Sequence, residues 1–115
     1  MKKQYDAGLI GENAAEQYLC RQGMSLLERR FRGEDGEIDM IMLDGDMIVF
    51  VEVKARPHSA QGTGLLAVTP NKQKRMAHAA MAFLIEHEWL DRKVRFDVVE
   101  ISRSGVLHIP NAFSV

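Results

Sequence analysis

Residues 37–56 read EIDMIMLDGDMIVFVEVKAR, two largely apolar runs joined by Asp44-Gly45-Asp46. Such runs on either side of a glycine-centred turn signal a β-hairpin, with strands expected over Glu37–Leu43 and Met47–Ala55. Ile48, Val49, Phe50, Val51 and Val53 make the second strand apolar on both faces, as at the centre of a covered sheet. Charge then breaks the pattern at one end of the hairpin. On one face of the first strand, Glu37 and Asp39 precede Ile41 and Leu43. On one face of the second, Ile48 and Phe50 precede Glu52 and Lys54. A two-residue Gly45-Asp46 loop sets Asp39 opposite Glu52, whereas an Asp44-Gly45 loop sets them on a diagonal. Either way like charges meet, which destabilises a sheet unless something positive joins them.

Working outward, Gly11, Ala14, Ala15, Tyr18, Leu19 and Gln22 recur at helical spacing, predicting a helix from about Gly8 to Gln22 that Gly23 stops. Leu26–Phe31 reads as a partly polar strand near a sheet edge, followed by a turn at Gly33-Glu34-Asp35-Gly36. Arg56–Val68 reads as a long loop, a length that often carries function. Thr69 then resembles an N-cap with Pro70 at the first helical position, opening a helix to about Trp89. Val94–Ile101 and Val106–Ile109 read as strands turned at Ser104-Gly105. The third strand, second helix and fourth strand have the size of a βαβ crossover. The expected fold is therefore α/β: a mixed sheet of about five strands flanked by helices, in the order α-β-β-β-α-β-β.

The 115 residues suit one domain, since a second would be too small to bury a core. With 46% hydrophobic and 27% charged residues, only the polar start at Met1–Asp6 and the last few residues are expected to lack order. The longest apolar run, Met47–Val51, is far short of a membrane span. No apolar segment follows Met1-Lys2-Lys3, so no signal peptide is read. The single Cys20 excludes an internal disulfide and fits a reducing, cytoplasmic setting. Its place beside Leu19 predicts a buried structural thiol. The net charge of −1 hides an uneven layout. Gly33–Val53 holds seven acids and no base; Val53–Ile85 holds five bases and no acid. The two segments meet at Glu52-Val53-Lys54, a layout suited to a cation site beside an anionic polymer.

Hard cations such as Mg²⁺ take oxygen ligands, usually one or two carboxylates completed by water and substrate phosphate. Asp39 and Glu52 supply the carboxylates here, with the Val53 carbonyl between Glu52 and Lys54 as a third candidate. Lys54 would stand beside the ion, to act on the attacking water or on the phosphate charge. Glu12 lies about 20° around the helix from Leu19, at the edge of the apolar stripe, where a carboxylate aimed at the sheet calls for a cation. Taken singly, a Glu-x-Lys pair, a turn aspartate or a first-turn glutamate is commonplace. Their order along this chain is more specific.

Four blocks extend that order: Gly11-Glu12-x-x-Ala15, Gly36-Glu37-Ile38-Asp39, Val49-Phe50-Val51-Glu52-Val53-Lys54-x-Arg56 and Arg95-Phe96-Asp97-Val98-Val99. Together they resemble the YraN-type family of uncharacterised bacterial proteins, over roughly Gly8 to Ile101. That family in turn resembles archaeal Holliday-junction resolvases and the restriction-endonuclease-like PD-(D/E)xK nucleases. The resemblance implies a restriction-endonuclease-like or tRNA-endonuclease-like domain and a Mg²⁺- or Mn²⁺-dependent endonuclease acting on branched DNA. It matches Glu12 to the helix acid, Asp39 and Glu52 to the motif acids, and Lys54 to the motif lysine, with Ile38 in place of the motif proline. A resolvase-like role implies a homodimer, because two strands are cut. The rival expectation is a module that keeps the fold and binds nucleic acid or protein without catalysis.

Arg56, Lys72, Lys74 and Arg75 are weaker candidates for nucleic-acid contacts, at or after the long loop. Arg29, Arg30 and Arg32 would extend that surface. Asp97 is expected in a structural ion pair, with Arg95 or Arg56. The four histidines lack metal-ligand spacing, and Trp89 is read as core.

Overall fold

A computed structural model describes residues 2–56 and 67–114. Its elements are α1 (Lys2–Arg21), β1 (Ser25–Arg32), β2 (Glu37–Asp44), β3 (Met47–Arg56), α2 (Pro70–Glu86), β4 (Val94–Ser102) and β5 (Gly105–Phe113). The five strands form one sheet in the order β1-β2-β3-β4-β5. All neighbours are antiparallel except β3 and β4, which run parallel across the α2 connection. The mixed α/β sheet expected from the sequence is the fold found.

β3 is central, and its apolar residues on both faces are divided between two cores. Ile48 and Phe50 pack with Ile41, Met76, Phe83 and Phe96 on the α2 side. Val49 and Val51 pack with Ala15, Leu19, Met40 and Met42 on the α1 side. Phe50 and Phe83 meet edge to face at 6.0 Å between ring centres, a favoured aromatic geometry. Asp44 pairs with Met47, so the hairpin turns on the two residues Gly45-Asp46. Gly45 has φ +63°, the left-handed conformation that such turns require.

The element ends differ from the sequence-based reading for identifiable reasons. α1 begins at Lys2 rather than Gly8, since no proline or glycine in residues 2–7 stops the helix from extending before its apolar stripe. Cys20 is exposed rather than buried; one step of about 100° beyond the buried Leu19 turns it out of the stripe. α2 ends at Glu86, short of Trp89. There Glu88 adopts φ +57°, and Trp89 N–H bonds back to the Leu84 carbonyl at 2.8 Å. That closure is of the Schellman type, made without the glycine that usually announces it. Trp89 itself is half-buried against the α2-side core. β5 runs on to Phe113, well beyond Ile109. Most of the loop expected at Arg56–Val68 lies outside the described residues. Among those residues, no helix is long and apolar enough to cross a membrane.

The Gly33–Gly36 turn presses on α2 so closely that a Cβ on Gly36 would lie 2.7 Å from the Arg75 carbonyl oxygen. Because the obstacle is backbone, Gly36→Ala is expected to cost about 1–3 kcal/mol by overpacking. Urea unfolding checks this, and a loss below about 0.5 kcal/mol would mean that the turn is free to move.

A second charged centre braces the far end of the sheet. Asp97 is fully buried and accepts from Arg95 Nε at 3.0 Å, from Asn111 N–H at 2.9 Å and from His108 Nε2 at 2.7 Å. Burial favours its neutral form, but the hydrogen bonds from His108, Arg95 and Asn111 outweigh it and hold the carboxyl below its ordinary value. Arg95 also reaches Asp44 at 3.1 Å, tying β4 to the hairpin. Arg95, rather than Arg56, is thus the Asp97 partner, and His108 gains a structural role the sequence did not suggest.

Candidate functional site

The charged end of the hairpin is where β2 and β3 part. Regular pairing runs from Asp44 opposite Met47 to Met40 opposite Val51. One further step in that register sets Asp39 across from Glu52. Instead of continuing the ladder, the Asp39 carboxylate accepts from Val53 N–H at 2.8 Å. A strand residue turns its N–H and C=O to the same edge, so the Val53 carbonyl also faces the Asp39 side.

Regular side-chain alternation does not deliver Asp39. It holds from Met40 to Leu43 but breaks at Asp39, since Ile38 packs with the α2-side core and Met40 with the other. β1 is broken opposite it. Arg29 pairs with Met40 and Phe31 with Ile38, and Arg30 between them has φ +56°. A left-handed arginine costs roughly 1–3 kcal/mol. Its effect is that Arg29 and Arg30, adjacent strand residues that would normally face opposite ways, both bind the same Glu12 oxygen. Arg29 Nη2 lies at 2.8 Å and Arg30 Nε at 3.0 Å.

Glu12 comes from α1, on the opposite side of the sheet from Glu52. Its approach depends on Gly11, whose added Cβ would stand 3.1 Å from the Ala55 Cβ. Bound by two arginines, Glu12 acts on Asp39 only through its charge. Arg29 and Arg30 are thus engaged by this carboxylate, and Arg32 pairs with Glu37 at 3.1 Å.

Glu52, Lys54 and Lys72 form the inner group on the α2 side. Glu52 is almost completely buried at 3% exposure. Its Oε2 lies 3.2 Å from Lys54 Nζ and 2.5 Å from Lys72 Nζ. The Asp39 carboxyl lies close enough to Glu52 for the two to act on each other. Its carboxyl is pushed up to about 7, first by burial and then by the Glu52 charge, against the lowering effect of the Val53 N–H. Burial and the neighbouring Lys72 hold Lys54 below its ordinary value, despite attraction to Glu52. Burial acts against the Lys72 charge too, but its bonds to Glu52 and Lys54 outweigh this and raise it.

The structure thus brings together Asp39, Glu52 and Lys54, with the Val53 backbone between them and Glu12 nearby under its arginines. Among the described residues no three acid, histidine or cysteine side chains converge on one point as a ready cation cage. Two carboxylates are available, the number at which Mg²⁺ sites commonly operate with water and phosphate completing the shell. Two carboxyls held this close with little exposure to solvent are also what a divalent ion would relieve, so the donor set fits a hard cation.

Arg56 ends β3 beyond Lys54, and its buried Nε finds no hydrogen-bond partner among the described residues. Lys74 and Arg75 are exposed on α2. The sequence reading placed Lys72 with those two, missing its contact with Glu52, which joins positions twenty residues apart through tertiary packing. It also passed over Glu100, fully buried and paired in register with Lys54 across the parallel strands. Its only sequence signal was an acid that, like Asp97, interrupts the apolar run of β4.

Comparison with known proteins finds relatives that match most of the chain. A UPF0102 protein of Geobacter metallireducens is 46% identical over 112 residues, covering 94% of this chain and 92% of the relative. One from Ectopseudomonas mendocina is 43% identical over 117 residues and covers 98% of each. Residues 11–101 match a family model described as "Uncharacterised protein family UPF0102", a span holding every element of the site from Glu12 to Glu100. The chain belongs to that family.

Proposed function

We propose that this protein is a divalent-cation-dependent endonuclease acting on branched or otherwise structured DNA. The observation that carries the reading is the Asp39–Glu52 carboxyl pair, held together at a strand end with Lys54 beside it. Asp39, Glu52 and the Val53 carbonyl would hold Mg²⁺ or Mn²⁺. When bound, the ion would supply positive charge to the phosphate under attack and help ionise water. Water attacks phosphorus, one P–O ester bond breaks, and the products are a phosphate monoester and a free hydroxyl. Lys54, beside Glu52, would take the water proton or face the phosphate. Glu12 would assist once its arginines turn to DNA. Arg56, Lys74 and Arg75 would contribute contacts to the DNA backbone. The choice of branched DNA rests on the resemblance to junction resolvases, and cutting both strands of a symmetric junction would call for a homodimer.

A panel of labelled four-way, flapped and linear DNAs, incubated with Mn²⁺ or Mg²⁺, tests the reading. Cleavage of branched substrates is expected, abolished by EDTA and by Glu52→Gln. A second reading, a binding module without catalysis, draws on a specific observation: the acids are already neutralised by the protein's own cations, Glu12 by two arginines and Glu52 by two lysines. Tight DNA binding without cleavage on any substrate would favour the module.

A further inference from the structure

Glu52 carries one more ammonium than the proposed chemistry needs. Lys72 stands in the first turn of α2, three residues after the Thr69 cap, where Lys72 N–H bonds the Thr69 hydroxyl at 3.2 Å. Cations are disfavoured at a helix N-terminus, whose exposed N–H groups already carry partial positive charge. No acid occupies this first turn to offset it. The position of Lys72 therefore serves Glu52, a carboxylate that cannot stay charged and buried without a partner. Its Nζ at 2.5 Å sits closer to Glu52 Oε2 than Lys54 does, and it is also attracted by Asp39.

An alternative place for this ammonium exists alongside. A cavity of about 310 Å³ opens between the Gly36 turn and α2, lined by Asp35, Gly36, Glu37, Lys72, Arg75 and Met76. Asp35 and Glu37 are exposed carboxylates, so a lysine leaving Glu52 finds negative charge within the same crevice. Lys72 itself is part-exposed, at 38% for the side chain.

The structure assigns Lys72 the role of a resident counter-ion: its ammonium occupies the cation position on Glu52, and a divalent ion must displace it into the Asp35–Glu37 crevice to bind. This inference rests on the proposed cation site and deepens it. It makes Lys72 a positioning residue that pairs with the Glu52 carboxylate and competes with the ion. When the binding-competent state is only partly populated, apparent affinity falls by that fraction. Removing the competitor should therefore tighten binding, the opposite of what losing a ligand does.

Calorimetric titration with Mn²⁺ alone, at fixed ionic strength, tests this on wild type, Lys72→Met, Lys72→Gln and Glu52→Gln. Both Lys72 variants are expected to bind Mn²⁺ about tenfold tighter than wild type, and Glu52→Gln to lose binding. Having two Lys72 variants guards against one failing to fold. In wild type, Mn²⁺ should also raise the acetylation of Lys72 by an amine-reactive reagent, read by mass spectrometry against Lys74 as internal control. Unchanged or weaker affinity in the Lys72 variants, with Glu52→Gln still losing binding, would overturn the counter-ion role and leave the cation site standing. No Mn²⁺ binding by wild type would overturn both.

Discussion

Replacing Lys54 by alanine is expected to lower metal-dependent DNA cleavage by about 10²–10⁴-fold, the usual contribution of a positioned proton-transfer or charge-stabilising group. Structural damage should be small. The Lys54 side chain is 19% exposed, and Glu52 keeps its 2.5 Å contact with Lys72 after Lys54 is gone. Single-turnover cleavage at saturating Mn²⁺, beside a melting curve, separates loss of chemistry from loss of fold. Lys54→Arg distinguishes the two possible roles. If Lys54 takes a proton, the rate in wild type should climb with pH towards the lowered lysine value, because burial favours the neutral amine, and arginine should not rescue. If Lys54 acts by charge alone, the profile should stay flat where it is protonated, with arginine restoring part of the rate. Cleavage by Lys54→Ala within threefold of wild type would remove this lysine from the mechanism.

The hairpin was legible because its signals are local. A glycine-bearing turn and two apolar runs fix which residues face each other, and the Gly45-Asp46 loop found is one of the two the sequence left open. Glu52 and Lys54 followed from regular alternation along β3. Asp39 lies beside Glu52, but not by the alternation that the sequence suggests, since alternation breaks at that position and a left-handed Arg30 faces it. Nothing in Glu28-Arg29-Arg30-Phe31 announces a positive φ, which normally falls to glycine or asparagine. The same blindness hid the end of α2, closed by Glu88 in the left-handed region. Charge partners were hidden for another reason. The arginines on Glu12, and Lys72 on Glu52, lie seventeen to twenty residues away in sequence, and composition cannot say which of several cations a carboxylate will meet.

Neutralising Asp39 is expected to stabilise the metal-free protein above neutral pH, an effect that ties the carboxyl pair to a measurable energy. In the folded chain Asp39 keeps its proton up to about 7, against an ordinary value of 3.8. Between those values the native state binds more protons than the unfolded chain, so stability falls as pH rises through the window. The contribution is fully present below about pH 4 and lost above about pH 7. A gap of about three pH units amounts to at most about 4 kcal/mol. Asp39→Asn never ionises and so escapes that loss, although its amide accepts more weakly from Val53 N–H than a carboxylate does. The net gain expected at pH 8 is about 1–3 kcal/mol, or a melting temperature higher by about 4–12 °C for a chain of this size. At pH 4 the gain should vanish, because wild type then carries the proton itself. Mn²⁺ should act on wild type in the same sense at pH 8. With a dissociation constant of about 1 mM, roughly 10 mM ion stabilises by about 1.4 kcal/mol through mass action. Asp39→Asn, relieved already and short of a ligand, should respond much less. Melting curves of both proteins at pH 4 and pH 8, with monovalent salt matched to the Mn²⁺ samples, measure each of these effects. An Asp39→Asn variant less stable than wild type at pH 8, or one matching its Mn²⁺ response, would show that Asp39 and Glu52 do not form a cation-binding pair.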